Sequence, residues 1–168
     1  GLTPAPEADK TTLIRRVTFA LTGLPPTPEE VNAFLTDRSD QAYEKLIDRL
    51  LDSTAYGERW GRFWLDVVRY ADSNGLDENI AHGNAWRYRD YVIKAFNDDM
   101  PFNQFITEQI AGDLLESSDD ITASNRRLVA TGFLVLGPKV LAEGDEEKLA
   151  MDIIDEQIDT IGRAFMGM

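Results

Sequence analysis

Apolar residues recur every three or four positions along most of the chain, and no stretch sustains the strict alternation of a half-buried strand. The pattern predicts an all-α fold, a single compact bundle of about seven or eight helices in one domain over residues 1–168, behind an extended lead over 1–8. A first helix is predicted over residues 9–21, stopping at Gly23 ahead of Pro25 and Pro26. Thr27 and Glu30 have capping-box spacing with Pro28 between them, so a short helix carrying Val31, Phe34 and Leu35 follows. A third, over 40–51, aligns Tyr43, Leu46, Ile47, Leu50 and Leu51. The fourth has the fullest apolar face, Trp60, Phe63, Trp64, Val67, Val68 and Ala71, opposite Arg59, Arg62, Asp66 and Arg69.

Beyond it, Asn74 and Gly75 predict a helix stop and a turn, and Asn84 an N-cap for a fifth helix running through Phe96. Pro101 opens a sixth with Phe102, Phe105, Ile106 and Ile110 on one face, ended by the polar residues 116–120. Thr122 is placed to cap a seventh, which carries Leu128, Val129, Phe133 and Leu136 and is closed by Gly137 and Pro138. The last helix starts at Asp145. Its apolar stripe is Ala150, Ile153, Ile154, Ile158, Ile161 and Phe165, and Asp152, Asp155, Glu156 and Asp159 fall on an outer, solvated side.

Composition narrows the partners. Thirty acidic residues against 17 basic ones leave a formal net charge of −13, which repels phosphate backbones and anionic lipid surfaces, so nucleic acid is not expected as a partner. The absence of cysteine excludes disulfides, zinc–thiolate sites, thiol nucleophiles and covalently attached haem from this chain. No run approaches the roughly 20 apolar residues of a membrane span.

Candidate chemistry gathers in RYADSNGLDENIAHGNAWRYRDYV, residues 69–92. Asp72, Asp77 and Glu78 beside Arg69 offer carboxyls for acid and base roles; His82, between Ala81 and Gly83, reads first as a solvated loop histidine and second as a candidate general base or ligand. Asp72, Asn74, Asp77, Glu78 and Asn79 are hard oxygen donors, but the glycine comes too early for an EF-hand and the closing glutamate is missing, so no metal site is assigned. Arg69, Arg87 and Arg89 with Trp86 set guanidinium forks beside aromatic faces, a mixture suited to a carboxylated or sulfated ligand or a sugar ring. The competing reading is an arginine–carboxylate network through Asp66 and Asp90 that locks helices together.

The runs LIRRVTFALTGLPPTPEEVNAFL, YEKLIDRLLDSTAYGERWGRFWLDVVRYADSNG, NAWRYRDYVIKAFNDDMPFNQFITEQIAGDLL, ATGFLVLGP and DTIGRAFMGM resemble the second domain associated with planctomycetal cytochrome C, a domain of unknown function, from about Leu13 to Met168. The resemblance implies one domain of a larger exported protein, extracytoplasmic, whose other parts carry c-type haem on a Cys-x-x-Cys-His segment. This chain carries no cofactor of its own on that reading. The resemblance brings no catalytic residue with it. The leading expectation is therefore a non-catalytic accessory or binding module, with neighbouring domains, a glycan or a protein as partner. A polysaccharide hydrolase or lyase using the loop carboxylates, and an acidic docking domain centred on the last helix, are the alternatives.

Overall fold

The computed structural model describes residues 3, 5–75, 79–115, 120–140 and 143–167. The architecture is all-α, with eight α-helices among the described residues and a single antiparallel bridge, Ser73 to Ala81, as the only extended pairing. The chain packs as two compact units, Gly1–Trp60 and Gly61–Met168. Of the expected lead, residues 3 and 5–8 carry no regular element, while Gly1, Leu2 and Pro4 lie outside the described residues, as does Met168.

In the first unit, α1 (Lys10–Thr22) begins where Asp9 accepts the Thr12 N–H and ends at Gly23, whose left-handed φ of 73° closes the helix onto the Phe19 carbonyl. The predicted capping box forms at α2 (Pro28–Thr36): Thr27 accepts the Glu30 N–H and Glu30 accepts the Thr27 N–H. With α3 (Ala42–Leu51) these helices bury Ile14, Phe34, Ala42, Leu46 and Leu50.

Helix α4 (Thr54–Val67) belongs to the first unit up to Trp60 and to the second from Gly61. Its buried face differs from the predicted one. Val68 is fully buried and Trp64 half-buried, but Trp60, Phe63, Val67 and Ala71 are exposed. The reason is Gly61: a Cβ there would stand 3.3 Å from Ile93, so its absence lets α5 (Trp86–Asn97) approach closely and turns the glycine side of α4 inward. The helix also stops well before the expected Asn74 and Gly75. Tyr70 N–H bonds to the Leu65 carbonyl and Arg69 N–H to that of Asp66, a Schellman ending with Arg69 at φ 58° where glycine is usual.

The second unit continues with α6 (Phe102–Ala111), α7 (Ile121–Ala130), a 3₁₀ turn (Thr131–Val135), α8 (Glu146–Ile161) and a π-helical turn (Gly162–Met166). Its core joins Val68, Tyr88, Tyr91, Val92, Phe105 and Phe133, with Trp64 and Phe165 packed on them. Helix α5 opens after a turn rather than on an Asn84 cap, and Asp120, not Thr122, caps α7 by accepting the Thr122 N–H. Helix α6 ends before the polar stretch expected to stop it, of which Glu116–Asp119 lie outside the described residues. Gly112 follows its last residue, and the missing side chain lets α7 approach there: a Cβ would lie 2.3 Å from the Arg127 carbonyl oxygen.

Two inward faces are more polar than their periodicity predicts. In α6, Phe102 and Ile110 are exposed, whereas Glu108 and Gln109 are buried. Gln109 accepts from the Tyr88 hydroxyl at 2.6 Å and the Trp64 indole at 3.1 Å, and Glu108 accepts from Arg126 at 2.7 Å, Gln104 at 2.8 Å and Tyr91 at 3.2 Å. In α8, Ile154 and Ile158 are exposed while Glu156 and Asp159, expected in solvent, turn towards Arg69.

Candidate functional site

The connector after α4 is a loop, described at residues 68–75 and 79–85. Its arms are closed by the Ser73–Ala81 bridge and by His82 N–H donating to the Asp72 carbonyl at 2.7 Å. Asn74, nearly fully buried, holds it in two directions. Its side-chain oxygen accepts the Ile80 N–H at 2.9 Å, its amide donates to the Lys139 carbonyl at 3.2 Å, and its own carbonyl accepts the Lys139 N–H at 3.1 Å. The polar atoms considered as calcium ligands at Asn74 are therefore spent on backbone. Among the described residues no group of three or more His, Asp or Glu is arranged to hold a metal ion. Asp77 and Glu78 lie outside the described residues.

Pinning the 137–140 segment to this loop creates a cavity of about 600 Å³ within the second unit. Arg69, His82 and Arg87 come together in its wall; Asp72, Trp86 and Arg89 do not line it. Sequence reasoning missed Lys139, which also lines the cavity and whose backbone is the one Asn74 clamps. The cations are not equivalent. Arg69, 27% exposed, is matched by Glu156 at 3.0 Å and Asp159 at 3.1 Å and donates to the Thr160 hydroxyl at 3.1 Å. The Glu156 contact has ion-pair distance without hydrogen-bond alignment, so it acts as charge attraction. The locking reading thus holds for Arg69, through α8 rather than through Asp66 or Asp90. Arg89 pairs with Asp90 at 3.0 Å, and Arg62 lies 3.9 Å from Asp66.

Arg87, His82 and Lys139 have no ion-pair partner among the described residues, and no carboxylate lines the cavity among them. The Arg87 guanidinium lies over the Trp86 ring at 5.3 Å, which steadies it without neutralising it. Asn84 and Ala85, just ahead of α5, and Arg87 and Tyr88 in its first turn also line the cavity, so the positive end of that helix reinforces the cations. In a chain of net charge −13, this is a local reversal of sign.

Asp72 stands apart from the cavity wall and accepts the Tyr70 hydroxyl at 2.5 Å. Burial, and then this carboxylate, push Tyr70 well above the ordinary tyrosine value. Of the three loop carboxyls considered for acid and base roles, Asp72 is the one within the described residues, and it does not line the cavity.

A helical domain with a cationic cavity and no cysteine is the class of protein that the fold defines. The chain belongs to the family PSCyt2, protein of unknown function (DUF1549), which matches residues 1–168 and is the planctomycetal cytochrome C associated second domain. No curated protein and no solved structure matches the chain. The family's association with cytochrome c raises the question of haem. Covalent c-type attachment requires cysteine thiols, and the chain has none, so its residues do not fit that group. No helix among the described residues is long and apolar enough to cross a membrane.

Proposed function

We propose that the domain is a non-catalytic binding module whose cavity captures a carboxylated or sulfated organic ligand. The observation that carries this reading is the pair of cations without carboxylate partners among the described residues, Arg87 and Lys139, with His82 beside them, around a space large enough for a small molecule. Capture is local, because the net charge of the whole chain repels anions at long range. Arg69 positions the wall and does not receive the ligand, since two carboxylates already match its charge.

Thermal shift and calorimetric titration of the chain with organic anions and their neutral counterparts test the proposal. A ligand at a hundred times its Kd stabilises the fold by about 2.7 kcal/mol, and the double variant Arg87→Ala, Lys139→Ala abolishes that gain. Equal binding of neutral counterparts, or unchanged binding by the double variant, would refute it. The family's cytochrome association supports placing the module outside the cytoplasm beside a haem-carrying neighbour in a longer protein. Fractionation with haem staining of the parent protein tests that placement, and a haem-free cytoplasmic product counts against it.

A further inference from the structure

The wall of the basic cavity contains large apolar side chains left in solvent. Leu128 is 59% exposed and Val135 57%, with Val129, Leu136 and Pro138 half-buried around them. These residues come from the end of α7 and from the 3₁₀ turn and its continuation, whereas Arg87 comes from α5 and Lys139 from the segment after Pro138, with His82 just past the Ser73–Ala81 bridge. One part of the wall is hydrocarbon and the other is positive.

Most hydroxyls of the wall already donate to groups of the protein itself. Tyr88 donates to Gln109 and accepts the Trp64 indole N–H, Tyr70 donates to Asp72, and Thr131 donates to the Leu128 carbonyl at 2.7 Å. Tyr88 and Tyr70, stacked with centroids 6.3 Å apart, therefore offer ring surface to the cavity. A densely hydroxylated sugar acid would find few partners there and would lose hydrogen bonds to water on entering. An inorganic oxyanion would use the cations but leave Leu128 and Val135 wet, in a space many times its own volume.

Resting on the binding reading above, we infer that the cavity takes an amphipathic organic carboxylate, with its carboxylate at Arg87 and Lys139 and an alkyl or aryl body covering Leu128 and Val135. The hydrocarbon part gives the affinity and the cations give the orientation. Both observations, the exposed apolar wall and the positive rim unmatched among the described residues, are accounted for by one ligand class.

Calorimetry of the full chain against straight-chain carboxylates of increasing length, an aryl carboxylate, glucuronate, inorganic sulfate, and alcohols matched in length tests the inference. Affinity is expected to rise about three- to fourfold per added methylene until the cavity is filled. Leu128→Ser with Val135→Ser flattens that dependence, and because both side chains are exposed the variant keeps its melting temperature. Arg87→Ala weakens every carboxylate by about tenfold or more without altering the slope. Sulfate, glucuronate and carboxylates of all lengths binding alike would overturn the amphipathic class and leave the anion site standing. Alcohols binding as tightly as carboxylates, or no binding by any of these probes, would overturn the anion site as well.

Discussion

Gly137→Ala isolates the contact that fixes the cavity wall. Gly137 has φ 99°, and a Cβ built there lies 2.8 Å from Glu156 Oε2 and 3.2 Å from an Arg69 guanidinium nitrogen. The left-handed backbone alone costs a side-chain-bearing residue about 1–2 kcal/mol. Displacing the carboxylate from Arg69 adds up to about 1 kcal/mol, the worth of a pair whose members are 27% and 32% exposed. The sum is about 1–3 kcal/mol, or a fall in Tm of about 2–12 °C for a chain of this size. Circular dichroism through heat and urea denaturation measures it, with Gly144→Ala as the control: nothing lies within 4 Å of a Cβ there, so its change stays within about 0.5 kcal/mol. Repeating Gly137→Ala in a Glu156→Ala background removes the obstacle but not the dihedral penalty, so the two changes together cost about 1 kcal/mol less than their separate sum. An unchanged midpoint for Gly137→Ala, or strict additivity with Glu156→Ala, would show that the wall is not held through this contact.

Three further outcomes follow from individual contacts. Arg126→Ala leaves Glu108, only 1% exposed, with Gln104 and Tyr91 alone, and should cost about 3 kcal/mol in urea melts; a loss below about 1 kcal/mol would mean those two donors suffice. The Thr27 backbone N–H, and then Arg49, hold Glu30 below the ordinary glutamate value, so its contribution is complete above that value and fades as pH falls through the lower folded one. Glu30→Gln therefore flattens the acid limb of the stability profile, and an unaltered limb counts against this. Asp72→Asn removes the carboxylate that helps burial suppress Tyr70 ionisation, so ultraviolet titration should show the phenol ionising at lower pH than in the parent; no change would mean burial alone sets it.

Local chemistry made the first unit legible. The Asp9 start, the Gly23 stop and the Thr27–Glu30 box each involve residues a few positions apart, and each is found where spacing places it. Periodicity failed where there was more apolar surface than partners to cover it. Helix α4 offers Trp60, Phe63 and Val67 as readily as Val68, and the choice is made by Gly61, whose missing side chain admits α5. The end of α4 was unreadable for a related reason: an arginine at a left-handed position is favoured by nothing local, and it persists because Glu156, Asp159 and Thr160, as far as 91 residues away, receive its guanidinium.

The same long-range pairing explains why the candidate site was only half visible. Arg69 and Arg87 looked alike in sequence, as arginines beside aromatic residues at either end of one polar stretch. What separates them is the turn of α8 that brings two carboxylates onto Arg69 and none onto Arg87 among the described residues. Lys139 gave no sequence signal, because its place in the wall comes from Asn74 gripping its backbone and not from its own side chain. A cation becomes a receptor for an outside anion only when the fold withholds an inside one. Neutralising Asp159 by Asp159→Asn should therefore leave carboxylate capture at Arg87 nearly intact, whereas Arg87→Asp should abolish it; capture that instead improved when Arg69 was freed would reassign the receptor to Arg69.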